Sequence, residues 1–217
     1  MIDYLPALAS GLKITLMLTL GAMGVACAAA VTAGLARHSS QAMVRALAWA
    51  YVELFRGTSA LVQLFWVYFA LPLVGIRFDA ITAGILVLGL NSGAYGAEVV
   101  RGALAAVPRE QYQAARALNL SSKQTLLTVI LPQAAIAMVP PAGNLAIELL
   151  KNTALVSLIT LGDLTFQAQT LRAATLQSGA VFAWLLAIYF LLAQLMRFGF
   201  RRLELRLAHG RDYGGIS

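Results

Sequence analysis

Five stretches of this chain run for eighteen residues or more without a formal charge: 14–36, 57–76, 80–97, 124–147 and 173–196. The hydrocarbon core of a bilayer is about 30 Å thick, so a helix rising about 1.5 Å per residue needs roughly 20 apolar residues to cross it. No water reaches the backbone N–H and C=O groups there, so a run this long satisfies them internally as a helix. Four of the stretches reach that length and the third nearly does. The expectation is an all-α integral membrane protein with five transmembrane helices, at about 12–36, 57–76, 80–101, 134–156 and 178–197, in a single domain over residues 1–217. The part of the fourth stretch before Pro132 reads as lying outside the membrane.

Composition agrees with this grouping. Only 12% of the residues are charged and 60% are hydrophobic, where a soluble domain carries about a quarter charged residues. The first apolar run is longer than the core of a signal peptide, and the preceding MIDYLPALASGLK has one basic residue, so it reads as a retained span. The segment 46–55 is apolar but closed by Glu53 and Arg56, and reads as an interfacial lead-in to the second span. The mixed stretch 157–179 reads as containing a helix at the outer surface. Cys27, the single cysteine, sits in the first span as a small buried hydrophobe. Gly21, Gly24 and Gly34 suit close helix packing.

The net charge of +7 is unevenly spread. With five spans the two termini fall on opposite sides. One side holds Arg37 and Arg45, then Arg101, Arg109, Arg116 and Lys123, then Arg197, Arg201, Arg202, Arg206 and Arg211; the other holds Lys13, Arg77 and Arg172. Basic residues concentrate in cytoplasmic loops, which places the N-terminus outside and the tail in the cytoplasm. Since these residues flank spans, the basic sequence points to membrane lipid and not to nucleic acid.

One polar segment interrupts the apolar pattern: VPREQYQAARALNLSSKQTLLTVILPQA, residues 107–134. Pro108 suits the first position of a helix, where its missing N–H would be unpaired anyway. Residues 109–118 read as helix. Asn119 falls where the helix ends, and Asn tolerates the left-handed conformation that closes one. Ser121 followed by Gln124 is a capping-box pattern that starts a second helix, and Pro132 ends or bends it. The expectation is a cytoplasmic helix-turn-helix elbow over 107–132, shaped to dock into a partner's groove.

This elbow resembles the EAA loop of ABC-importer permeases, a Glu-Ala-Ala followed by a Gly and then a hydrophobic run ending in Leu-Pro. The chain has Gln113-Ala114-Ala115, Asn119 and Ile130-Leu131-Pro132. Gln113 replaces the acid and Asn119 the Gly, which puts in question any ion pair the family makes at the first of these. FRGTSALVQLF (55–65), AYGAEVVRGAL (94–104) and GNLAIELLKNTALVSLITLGDL (143–164) are similar to motifs of the polar amino-acid branch, with Ser59 where Pro is usual. The resemblance implies half of a dimeric pore in the inner membrane of a bacterial cell. Its partners would be a second permease subunit, the same or homologous, an extracytoplasmic solute-binding protein, and a cytoplasmic ATPase dimer docked at Gln113, Ala114, Ala115, Leu118 and Asn119. No Gly-x-x-x-x-Gly-Lys-Ser/Thr loop is present, so the chain is not expected to bind ATP itself, nor to need a cofactor. Within the branch, ALNLS, PPAGN and IELLKNTALVSLITLGDLTFQAQ are most similar to permeases for ectoine and hydroxyectoine, with basic amino acids or opines as alternatives.

Polar residues inside the spans mark the candidate path. Asn144, Glu148 and Lys151 share one helix face at i, i+4 and i+7. A charge at mid-membrane costs roughly 2.5–3.5 kcal/mol, so such residues face a cavity or a partner. Asn91 lies at similar depth in the third span, where its amide could meet that of Asn144. Two readings stand: a substrate pathway of Asn91, Asn144, Glu148 and Lys151, or interhelical glue with Glu148 and Lys151 as an i, i+3 pair. Pro140 and Pro141 favour the pathway, because broken helices free backbone groups at transport sites. Glu98 and Arg101 read as a structural ion pair, Arg56 as a snorkelling residue or an acid's partner, and Trp49, Trp66 and Trp184 as interface or packing residues.

An intramembrane enzyme is the rival by class. His38 and His209 lie outside the spans, as do Asp3, Asp79, Asp163 and Asp212, and no H-E-x-x-H or G-x-S-x-G occurs. No catalytic or metal-ligating set is expected. A passive channel or independent carrier is the other rival, and neither needs a docking elbow.

Overall fold

The computed structural model describes residues 5–208; Asp3, His209, Arg211 and Asp212 lie outside them. Every regular element among the described residues is helical: α1 Leu5–Ala36, α2 Ala42–Arg56, α3 Ala60–Phe65, α4 Ala80–Ala106, α5 Arg109–Ala117, α6 Ser122–Gln124, α7 Leu131–Asn152, α8 Leu164–Thr175 and α9 Ser178–Ala208.

The most extensive helix pair is α1 with α4. Leu18 lies against Gly84, Val25 against Gly89, Ala29 against Gly93, Ala30 against Gly96, and Gly34 against Val100. The two numberings rise together, so the helices run parallel. A β-carbon added at Gly89 or at Gly34 would lie 2.6 Å from the β-carbon of its valine partner, closer than real side chains approach. In lipid, helix association rests on such close packing and not on removal of surface from water. Gly21 also belongs to the seam, against Ile85, but Gly24 faces open space and packs nothing. Cys27 is exposed, not buried. An apolar residue on a membrane helix reports hydrocarbon around it, which lipid supplies as well as protein does.

Two parallel crossings require a return between them. That return is α2 followed by the helical segment Ala60–Val74, bent by 100° at the junction. The second span is therefore a broken one made of α2 and 60–74 together, and not the straight run of 57–76 expected from hydropathy. The bend is held by polar side chains that cap the freed carbonyls. The Gln63 Nε2 donates to Phe55 O at 3.0 Å and to the Thr58 hydroxyl at 2.6 Å, while the Asn91 Nδ2 donates to Phe55 O at 2.9 Å. Unpaired carbonyls at a helix end in lipid would each cost several kcal/mol.

Beyond α4, α7 returns antiparallel, with Leu145 facing Gly96 and with Glu148, Leu149 and Asn152 beside Leu88 and Asn91. In turn, α9 runs antiparallel to α7, its Phe200 against Gly143 and its Leu192 near Leu150. Among the described residues four helices are long and apolar enough to cross a membrane, and the bent pair, counted as one span, makes a fifth.

Three prolines act differently from the expectation. The chain is helical without interruption over Ser122–Ile159, so Pro132 neither ends the helix nor separates the elbow's second helix from the span. A π turn over Thr125–Ile130 precedes it, widening the helix where proline removes a donor and crowds the preceding turn. Pro140 and Pro141 lie inside α7 without breaking it. Packing against α4 and α9 outweighs the two lost donors, and the broken helix is at 57–59 instead.

The core is formed where α1, α3, α4, α7 and the turn Thr153–Ile159 meet, around Leu18, Leu64, Leu88, Leu149, Val156 and Ile159. The mixed stretch after it contains α8, as expected. Asp163 caps α8, its carboxylate accepting from the amides of Thr165 at 3.2 Å and Phe166 at 3.0 Å, and it is fully buried. Gly11 of α1 lets this turn approach, since a β-carbon there would lie 2.8 Å from Asp163 O.

Candidate functional site

The elbow is built by local capping. In α5 the Asn119 N–H donates to Arg116 O at 2.9 Å and the Leu120 N–H to Ala115 O at 3.1 Å, with Asn119 at φ 54°. This is a Schellman closure with Asn in the place glycine favours. The Ser121–Gln124 capping box is complete, each side chain bonded to the other residue's amide. Pro108 stands one position earlier than expected, as the cap of α5 with ψ 140° instead of its first helical residue. Two bonds tie the elbow to spans: the Tyr112 hydroxyl donates to Leu104 O of α4 at 3.3 Å, and the Gln133 amide of α7 to the Gln111 side chain at 3.3 Å.

Of the five residues expected at a docking surface, Gln113, Ala114, Leu118 and Asn119 are exposed, Leu118 by 74%. Ala115 is the exception. It is only 2% exposed, on the inner side of α5, which packs on the π turn. Its small side chain serves the elbow's own closure and leaves Ala114 and Leu118 as the outward face.

The polar stripe is arranged as its spacing implied, but its pairings differ. Asn144, Glu148 and Lys151 are all exposed on this chain. Asn91 is buried, and its amide nitrogen is committed to Phe55 O and, at 3.2 Å, to the Gln63 side chain. It bonds the broken helix and not Asn144. Asn91 does share a wall with Glu148, in a small cavity completed by Ser92, Tyr95 and Asn152. The cavity measures about 10 Å³, room for one water. Glu148 and Lys151 are not paired with each other; the ion pairs among the described residues converge on Glu98.

Glu98 takes Arg101 at 2.8 Å, as the i, i+3 spacing implied, and Arg56 at 3.9 Å, as expected of an acid's partner. It also takes Arg37, from the end of α1. Arg56 lies 5.4 Å from the centroid of the Tyr95 ring. One carboxylate thus joins α1, α2 and α4 at the elbow end of the bundle.

The model of the family of inner membrane components of binding-protein-dependent transport systems matches residues 24–209. The chain belongs to this family. It is a multi-pass inner-membrane permease, a transport subunit and not an enzyme. The permease is 45% identical over 97% of its length to a probable amino-acid ABC transporter permease of Sinorhizobium fredii, covering 91% of that protein. It is 34% identical to the permease protein of the glutamine transport system of Escherichia coli, over 94% of both chains. A crystal structure of an amino-acid ABC transporter with histidines superposes with a TM-score of 0.89 at 35% identity, over 95% of the permease and 96% of that chain.

Sequence reasoning missed Gln63 and Arg37. Their side-chain partners Asn91 and Glu98 lie 28 and 61 residues away, beyond the reach of any helical spacing. Tyr95 and Asn152 stand in segments the motifs had marked, but only the packing of α4 on α7 puts them beside Glu148.

Proposed function

We propose that the permease carries polar amino acids or amino-acid-like zwitterions through a path lined by Glu148, Asn144 and Lys151 of α7, with Asn91 of α4 behind them. The observation that carries this is the outward exposure of the three α7 residues, Asn144 and Glu148 within the span and Lys151 in the last turn of the helix. Left against lipid, each charge costs roughly 2.5–3.5 kcal/mol. A second permease subunit, the same or homologous, covers them and makes a shared polar path. A zwitterion offers a carboxylate for Lys151 and a cationic group for Glu148. The cavity beside Asn91 admits one water, so the solute sits between subunits and not inside one.

Relatives that are permeases for amino acids support the solute class. Ectoine or hydroxyectoine is the narrower reading, carried by the segments around Asn119, Pro141 and Glu148; basic amino acids or opines are its alternatives. An ATPase dimer docks on Gln113, Ala114, Leu118 and Asn119, with the N-terminus outside, the elbow in the cytoplasm, and a solute-binding protein delivering from outside.

The test is uptake by proteoliposomes holding the permease with its ATPase and binding protein. Glutamine, arginine and ectoine are offered in turn. Glu148→Gln and Asn144→Ala are expected to lower transport about tenfold or change the preferred solute, with ATPase assembly intact. One charge-assisted bond is worth about 1.5–3 kcal/mol, enough for that change. Unchanged rate and preference in both variants would leave the stripe as helix-packing glue.

A further inference from the structure

At the elbow end of the bundle, Arg37, Arg45 and Arg101 surround an open hollow of about 490 Å³ together with Ala42, Ala46 and Trp49. Two of the arginines are held by one acid: Arg37 and Arg101 both bond Glu98. The third, Arg45, donates to Ser39 O at 2.8 Å. A single carboxylate cancels one of three positive charges, so the hollow keeps a net charge of about +2 by this count. Guanidinium groups carry five donors each, and Glu98 and Ser39 O use only some of them. Glu53, the acid of α2, does not line the hollow. The first turn of α2 opens into it at Ala42, with no acidic residue and no side-chain cap, which adds the positive end of a helix to the same field.

The surroundings fix the kind of anion. Trp49 is 54% exposed on the rim, an amphipathic ring of the type that settles at a membrane–water interface. Beside it on α2, Met43 and Leu47 are 76% and 66% exposed, with no covering from the chain. A free phosphate has no use for this apolar border, whereas a lipid has acyl chains to lay against it. Basic pockets at the ends of membrane helices bind anionic headgroups in this way.

We propose that this hollow is a headgroup site for an anionic phospholipid with two phosphodiesters, whose double charge matches the unbalanced pair of arginines. The proposal goes beyond the transport reading and depends on neither the solute nor the second subunit.

Native mass spectrometry of the full-length permease in detergent, with cardiolipin or phosphatidylcholine added, tests it. Wild type is expected to retain cardiolipin in preference. Arg45→Gln should weaken that retention about fivefold, the effect of one basic residue near an anionic headgroup, and Arg45→Lys should nearly restore it. Ala42→Glu provides a second variant, since an acid in the first turn favours helix α2 while repelling a phosphate; it too should lose cardiolipin. Equal retention by wild type, Arg45→Gln and Ala42→Glu overturns the proposal. So does displacement of cardiolipin by millimolar inorganic phosphate, which would make the hollow a site for the free anion.

Discussion

Glu98 gathers cations from three places in the chain, and they are not equivalent. The Arg37 and Glu98 side chains are 17% and 21% exposed, whereas Arg101 is 44% exposed and only one turn away. An exposed pair at i, i+3 contributes about 0.3–0.5 kcal/mol, while a charged bond in a half-buried place contributes about 1.5–3 kcal/mol. A double-mutant cycle on detergent-solubilised protein is therefore expected to give a larger coupling for Arg37 with Glu98 than for Arg101 with Glu98. Equal couplings would show that the link between α1 and α4 is not what Glu98 supplies. The weaker pair was legible in the sequence as i, i+3; the stronger was not, because nothing local relates residues 37 and 98. Asp163 gives a second prediction at this scale. Burial pushes its carboxyl up to about 6, against the pull of the Phe166 and Thr165 amides. The folded state then holds the proton more tightly than the unfolded chain, whose carboxyl titrates at about 3.9. That contribution to stability is present in full below about pH 4 and is lost as pH rises to about 6. Asp163→Asn still caps α8 and removes the proton. The difference in melting midpoint between wild type and Asp163→Asn should fall across this window and level off above it. A difference independent of pH would place the carboxyl at its ordinary value.

At the scale of elements, the left-handed residues that end helices carry the clearest expectations. Asn119 at φ 54° and Leu176 at φ 56° close α5 and α8. A side chain in that region costs about 1–2 kcal/mol relative to glycine, and Asn less than most. Leu176→Gly should raise stability by about 1 kcal/mol, Asn119→Gly should change it little, and Asn119→Val should lower it by about 1–2 kcal/mol, all read from thermal unfolding in detergent. Loss of stability in Leu176→Gly would mean that its exposed side chain contributes packing elsewhere. The elbow was readable because its signals are local: Asn119, Ser121 and Gln124 each act within a few residues. The bend at 57–59 was not, since Gln63 and Asn91 stabilise it by folding back on carbonyls freed some distance away. Prolines misled for the complementary reason. At Pro132, Pro140 and Pro141 the local cost is real, but it is met by a π turn or outweighed by neighbouring helices.

For the whole molecule, hydropathy marks the four straight spans, while the second, a bent pair, and the parallel pairing of α1 with α4 became visible only in the packing. Absolute orientation is the prediction that belongs here. On a Cys27→Ser background, Arg77→Cys should react with an impermeant thiol reagent in intact cells, and Ser40→Cys should not; the opposite pattern would turn the permease over. The glycine seam between α1 and α4 also bears on how the protein is made. Its two halves are separated in the chain by the whole of α2 and the bend, so α1 is released into the bilayer well before its partner exists. From residue 36 to residue 106, a ribosome adding 5–20 residues per second takes about 4–14 s. For that interval the notches at Gly21 and Gly34 have no α4 against them, and Arg37 is without its carboxylate. Any factor that slows translation there prolongs the time in which the membrane quality-control machinery meets an unpaired first helix.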